Sequence, residues 1–239
     1  MSGFRKALFS VEPATLNLWV QGLFRQRHSG ELPFHIGLSM NKSELRKLIR
    51  QQRRSLSKAQ RQSASRGLLR QLRSAPEYLT AKRVAVYLTN DGEIDTQWLI
   101  QDLHQRRREI YLPVLHPLRK GHLAFIRYQK NTVMSRNRFG ISEPSFSRNK
   151  AVSARFIRLI CLPLVAFDDR GNRLGMGGGF YDRTLEFVHE KGKTPLLVGC
   201  AYDFQRISML PAESWDIPLK LIATDASLHR LLTFTTPAD

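Results

Sequence analysis

Between Ile157 and Arg183 a mostly apolar run, a polar turn and a knot of glycines follow one another, and this succession constrains the chain most. Ile157 to Phe167 reads as a buried strand, and Asp168 to Asn172 as the turn that ends it. Gly175, Gly177, Gly178 and Gly179 then crowd together before a helical pattern begins at Tyr181. Strand, glycine loop and helix bring backbone close to phosphate, because glycine removes the Cβ and a helix N-terminus offers free N–H groups. Arg173 adds a fixed positive charge beside the loop. Asp182, at the loop's end, is placed to hold a divalent cation on the same phosphates. Arg-x-Gly-x-Gly-Gly-Gly-x-x-Asp therefore reads as a nucleotide-phosphate site, with a ligand-free tight turn as the competing reading. Neither standard nucleotide signature applies: the Gly-Lys-Ser/Thr ending is absent, and Phe180 stands where a dinucleotide fingerprint needs Gly or Ala.

The rest of the chain sets the frame for that loop. Asn41 or Ser43 caps a helix to about Arg54, with Leu45, Leu48 and Ile49 on one face. A second helix runs from about Lys58 to Leu72. Most of the arginines on this pair read as a solvated outer face. Lys42 and Arg46 are the exceptions, because their i, i+4 spacing puts two positive charges on one side of the first turn, able to grip one anion. Arg83 to Leu88 is a strand, Thr89 to Gly92 a turn, and a helix capped by Asp95 or Thr96 continues to about Arg107. Ile110 to Leu115 is the next strand, which makes a βαβ unit and a largely parallel sheet. The fold class is α/β, three layers around a central, mostly parallel sheet. Glu93 falls just past a strand's C-terminal end, where ligands bind in open α/β sheets. A carboxylate there accepts two hydrogen bonds from an aminopyrimidine edge; the alternative is an acid that merely favours a helix N-terminus.

Further along, His122 to Tyr128 alternates as a strand. Pro195 to Ala201 and Leu219 to Ala223 read as strands as well. The helix after the glycines is expected to reach about Lys191. Cys161 and Cys200, the only two cysteines, lie in apolar runs at spacings that suit neither zinc nor a redox pair. They read as buried reduced thiols of a cytosolic protein. No apolar run approaches the roughly 20 residues that span a membrane. The formal net charge of +18 predicts anionic partners: nucleic acid, acidic lipid or a polyanionic small molecule. A basic RNA-binding role is the competing class, although the basic stretch lacks interleaved aromatics. Met1 to Ser39 shows no sustained period. Met40 reads as the native start, with residues 1–39 as a dispensable extension and 40–239 as the domain.

Asn172 to Arg183 resembles the signature of the 5-formyltetrahydrofolate cyclo-ligase family, in its enterobacterial form. Many members carry Lys and Tyr where this chain has Gly178 and Phe180. Three further stretches match. Lys42 to Arg46 resembles the family's Lys-x-x-x-Arg; Tyr87 to Thr96 resembles its folate-binding segment; Gly140 to Pro144 resembles its Gly-Ile-x-Glu-Pro, expected as a mobile wall of the site. Trp215 replaces the usual His before Asp216. The resemblance implies ATP-dependent conversion of 5-formyltetrahydrofolate, with or without a polyglutamate tail, to 5,10-methenyltetrahydrofolate in the cytoplasm. It implies ATP contact by Lys42, Ser43, Glu44, Leu45 and Arg46, and by Arg173, Leu174, Gly175, Met176, Gly177, Gly178, Gly179, Phe180 and Tyr181. It further implies Arg173 and Tyr181 at the reacting centre and folate contact by Leu88, Glu93, Met176, Gly177, Gly178, Gly179 and Phe180. Mg²⁺ would be placed by Asp182 and Asp216. The same resemblance leaves room for a ligase acting on another folate-like compound.

Overall fold

The computed structural model describes residues 41–146, 150–190, 194–211, 213 and 215–231. The expected boundary at residue 40 and the whole N-terminal extension lie outside the described residues.

Helix α1 (Lys42–Ser55) starts where the sequence places it. Asn41 accepts from the backbone N–H of Ser43 and Glu44, and the Glu44 side chain returns to the Asn41 N–H, a capping box. Such a cap contributes about 1 kcal/mol. Helix α2 (Lys58–Arg73) has an equivalent box between Ser57 and Gln60. A short helix α3 (Pro76–Thr80) follows, with proline in its first turn.

Strand β1 (Arg83–Ala85) leads through a turn to α4 (Gln97–Gln105), and β2 (Glu109–Leu115) returns parallel to β1, with Val84 opposite Ile110. This is the expected βαβ unit. Strands β3 (Leu123–Tyr128), β6 (Ala151–Val152), β7 (Leu159–Pro163), β10 (Leu196–Cys200), β11 (Leu221–Ala223) and β12 (Leu228–Arg230) complete an eight-stranded sheet in the order β12-β11-β10-β7-β1-β2-β3-β6. Strands β11, β10, β7, β1 and β2 are parallel, and at the margins the pairs β11–β12, β2–β3 and β3–β6 are antiparallel. Small hairpins join β4 (Met134–Arg136) to β5 (Ser142–Pro144) and β8 (Ala166–Phe167) to β9 (Arg173–Leu174).

The central strands are apolar on both faces because both are covered. Val84, Val86, Cys161, Val198 and Cys200 point into a cluster with Leu68 and Leu72 of α2 and Leu99 and Leu103 of α4. Ala85, Ile160, Leu162, Leu197 and Ile222 point the other way, toward Phe167, Leu185 and Leu219. Helices on both faces make three layers. Both cysteines are free thiols in the first cluster.

Two expectations need correction. The apolar run from Ile157 is not one strand. It leaves the sheet at Pro163, bends at Leu164 and Val165, and pairs again as β8 with β9. Hydrophobic content cannot mark that break, because Leu164 and Val165 are as buried as the strands they separate. The turn after it is built on Asp168, which is fully buried and accepts from the N–H of Arg170, Asn172 and Leu210. The helix after the glycines is also shorter than expected: α5 (Phe180–Leu185) tightens into a 3₁₀ turn at Glu186–His189.

Candidate active site

The C-terminal ends of β1, β2 and β7 open into a cavity of about 930 Å³, closed by the glycine loop, the first turn of α1 and the loop around Phe139. This is where an open, mostly parallel sheet offers a crevice. No described helix is long and apolar enough to cross a membrane.

The β8–β9 hairpin returns the chain to the cavity and ends at Arg173 and Leu174, so the glycine loop is held from its entry. The hairpin turn demands glycine at position 171: its φ is +85° and a Cβ there would lie 2.3 Å from the Leu219 carbonyl oxygen. Gly177 and Gly179 have φ of +93° and +60°, so the loop backbone turns in a region that side chains disfavour. Gly179 caps α5, and Arg183 from that helix closes back on the Gly178 carbonyl. A helix this short adds little dipole, so anion affinity here falls on loop amides and guanidinium groups. Arg173 supplies one: its side chain is buried, is ion-paired with Asp182, and keeps its Nε without a partner among the described residues.

Lys42 and Arg46 both line the cavity but do not share one target. Lys42 Nζ lies 3.3 Å from Glu213 Oε1, whereas Arg46 Nε donates to the Gly175 carbonyl at 2.8 Å. The first turn of α1 therefore ties both rims of the site. Asp216 lines the cavity and accepts from the Glu213 N–H at 2.9 Å. Trp215 also lines it, with 68% of its surface exposed.

Glu93 and Leu88 line the same cavity from the segment that follows β1. The Glu93 carboxylate accepts from the Asn90 N–H at 3.1 Å. Burial pushes its pKa up to about 7, against the pull of that hydrogen bond and of the Arg53 charge. Tyr181 is close enough to feel the Glu93 charge, and burial first, then that charge, raises its phenol well above the ordinary range.

Of the residues marked in the sequence, Lys42, Arg46, Leu88, Glu93, Arg173, Leu174, Gly175, Met176, Gly177, Gly178, Gly179, Phe180, Tyr181, Asp182 and Asp216 converge on this one space. Ser43, Glu44 and Leu45 do not line it. Ser43 and Glu44 serve the helix cap, and Leu45 is 4% exposed in the protein body. The loop expected as a wall of the site does line it, but no role for Phe139 or Glu143 within it was read from the sequence. Phe139 sits edge-on to Phe180 at 5.9 Å, and Glu143 accepts from the Leu115 N–H and the Asn137 amide, fixing the wall that carries Phe139. Sequence reasoning also missed Arg53, which is not a solvated arginine but 1% exposed. The signal was present: Leu45, Ile49 and Arg53 recur every four residues on one face.

The sequence pattern of the 5-formyltetrahydrofolate cyclo-ligase family matches residues 38–225. The chain belongs to that family. It is 42% identical over 181 residues to the Haemophilus influenzae 5-formyltetrahydrofolate cyclo-ligase, covering 76% of this chain and 96% of the relative. The Escherichia coli K12 cyclo-ligase is 41% identical over 181 residues, covering 76% and 98%. Among solved structures, Aquifex aeolicus 5,10-methenyltetrahydrofolate synthetase superposes with a TM-score of 0.69 at 33% identity, covering 84% of this chain and 97% of that one. The Mycoplasma pneumoniae 5,10-methenyltetrahydrofolate synthetase shares the fold, with a TM-score of 0.61 at 24% identity, over 78% and 99%. By this membership the chain is an enzyme of the ligase class.

Proposed function

We propose that the chain converts 5-formyltetrahydrofolate to 5,10-methenyltetrahydrofolate at the expense of ATP, releasing ADP and phosphate. The observation that carries this reading is the shared cavity, which the glycine loop, Arg46 and Arg173 line together with Glu93 and Leu88. In the proposed reaction the formyl oxygen attacks the γ-phosphate and ADP leaves. N10 then closes on the activated carbon of the N5-iminium phosphate, and inorganic phosphate departs. Charge builds on the transferring phosphoryl group, so fixed donors matter more than a protein nucleophile. The amides of Gly175 to Gly179, with Lys42, Arg46 and Arg173, supply those donors, and Tyr181 flanks the reacting centre. Glu93 would orient the pterin by accepting from its aminopyrimidine N–H groups, which requires the ionised carboxylate. The net charge of +18 suits both ATP and a folate tail with or without added glutamates.

The residues present fit a magnesium ion carried largely by the nucleotide. No group of three or more His, Cys, Asp or Glu among the described residues forms an all-protein cage. Two carboxylates beside a phosphate loop are the hard oxygen donors that Mg²⁺ accepts while keeping waters and phosphate oxygens. Asp182 and Asp216 would hold it, and the ion would neutralise phosphate charge. Because Asp182 is also ion-paired with Arg173, metal and guanidinium would be placed by one carboxylate. We place the activity in residues 40–239, and its setting in the cytoplasm, where the buried thiols stay reduced.

The test is the absorbance of methenyltetrahydrofolate formed from 5-formyltetrahydrofolate. A band that grows only with MgATP is the expected result; a flat trace from folded protein would remove the assignment.

A further inference from the structure

The turn that carries Glu93 is an unusual piece of backbone. Asp91 and Gly92 both have positive φ, +49° and +71°. Glycine tolerates that region, and Asp enters it more readily than most side chains; here the Asp91 carboxylate is also held. Three arginines of α1 hold it. The Asp91 carboxylate accepts from Arg50 Nε at 2.6 Å, Arg53 Nη2 at 3.2 Å and Arg54 Nε at 2.7 Å, with a further bond from Arg54 Nη2. Burial would raise this carboxyl, but the Arg50 and Arg54 hydrogen bonds win and hold it below its ordinary value.

Arg53 differs from the other two. Arg50 and Arg54 are substantially exposed, while Arg53 is 1% exposed. Its Nη1 reaches the Leu164 carbonyl at 3.4 Å, where the chain leaves β7. Gly92 packs on its backbone, and a Cβ at position 92 would meet the Arg53 carbonyl and Cβ at 3.3 Å. One buried guanidinium thus joins α1, the turn ahead of Glu93 and the exit of β7. The buried Arg53 charge is paired with Asp91, so removing Asp91 leaves that charge uncompensated, and removing either partner disturbs the turn they share.

We propose that Arg53, acting with Asp91, is the positioning residue that fixes the Glu93 carboxylate at the cavity wall for a ligand with paired N–H donors. This rests on the reading above that Glu93 receives the aminopyrimidine edge. The groups facing Glu93 define the electrostatics. Asp91 belongs to its own turn, Arg53 comes from α1, Tyr87 follows β1, and Tyr181 comes from α5. Tyr202, after β10, donates its hydroxyl to the Glu93 main-chain oxygen at 3.4 Å. Arg53 is the cation of this set, and Asp91 opposes it.

That opposition supplies the test. In the full-length enzyme, Arg53→Met raises KM for 5-formyltetrahydrofolate about tenfold while KM for ATP stays within about twofold. It also moves the acidic limb of kcat/KM for the folate to higher pH, because Glu93 loses the charge that favours its ionised form. Asp91→Asn raises the same KM but moves the limb to lower pH, since a repelling carboxylate is gone. Arg53→Lys keeps the limb in place while still weakening folate affinity, as its ammonium cannot reproduce the fork. Opposite pH shifts from two neighbouring substitutions are not the mark of a merely structural defect. Circular dichroism confirms folding; if Arg53→Met does not fold, the mild Asp91→Asn change still decides the matter. Folded variants with unchanged folate KM and an unmoved limb would overturn the inference. Glu93→Gln separates the two levels: if it alone leaves folate KM unchanged, the assignment of Glu93 fails and this inference with it.

Discussion

The two halves of the cavity are built by different physics. On the proposed phosphate side the groups offered are mostly backbone, exposed by glycines whose positive φ values set the loop's path. On the Glu93 side a single carboxylate is presented by a turn, and that turn is held by long side chains from α1. A backbone-built site depends on what is absent, namely Cβ atoms. A side-chain-built site depends on buried charge balance. The first is therefore expected to fail by steric change and the second by titration.

Asp182→Ala gives the sharpest break on the phosphate side. It removes the proposed metal placement and leaves the buried Arg173 charge unpaired, so turnover should fall at least about a thousandfold. A steady-state assay with saturating MgATP checks this, and near-normal turnover would strip Asp182 of its metal role. Gly177→Val comes next. A β-branched residue at φ +93° must rebuild the loop, so KM for ATP should rise about tenfold or more with folate affinity little changed. An unchanged nucleotide KM would mean that the loop does not carry phosphate.

On the other side Glu93→Ala should cost about tenfold in folate affinity while nucleotide binding, measured by calorimetry, is retained. Loss of both together would show that the halves are not separable. The wild-type pH profile refines this. Glu93 is ionised above about 7 and neutral below it, so folate KM should rise as pH falls through that value, with ATP KM insensitive over the same range. The sign also bears on stability: burial disfavours the ionised form, so this group by itself destabilises the free protein as pH rises through its folded value. A folate KM that is flat from pH 6 to 8, roughly the window set by a carboxyl near 7, would mean that another group reads the pterin. The smallest expected effect is that of deleting residues 1–39, which should leave the turnover number and both KM values intact. A large loss would place part of the site in that segment.

Local features were legible before any coordinates. A capping residue marked the start of α1, where Asn41 was one of two candidates, because a cap is a contact between residues three apart. The βαβ order and the doubly buried strands followed from hydrophobic spacing and right-handed crossovers. The glycine loop was legible because positive φ leaves a compositional trace. What misled was burial without periodicity. The run through Leu164 and Val165 reads as one strand, although it divides between two sheets. The resemblance listed Leu45 among nucleotide contacts, whereas the helical spacing had already put it on the apolar face, where it is buried.

The sequence by itself thus determined the element order, the largely parallel sheet, the glycine loop and most of the marked residues that meet around the cavity. Only the tertiary structure decided how those residues are held. It set Arg46 on the Gly175 carbonyl, Lys42 on Glu213, Arg173 on Asp182, and Arg53 beneath the turn of Glu93. The reason is physical. A cap or a glycine turn closes within a few residues and leaves its mark in composition, whereas a long basic side chain chooses its partner only after the chain has brought distant carboxylates and carbonyls within reach.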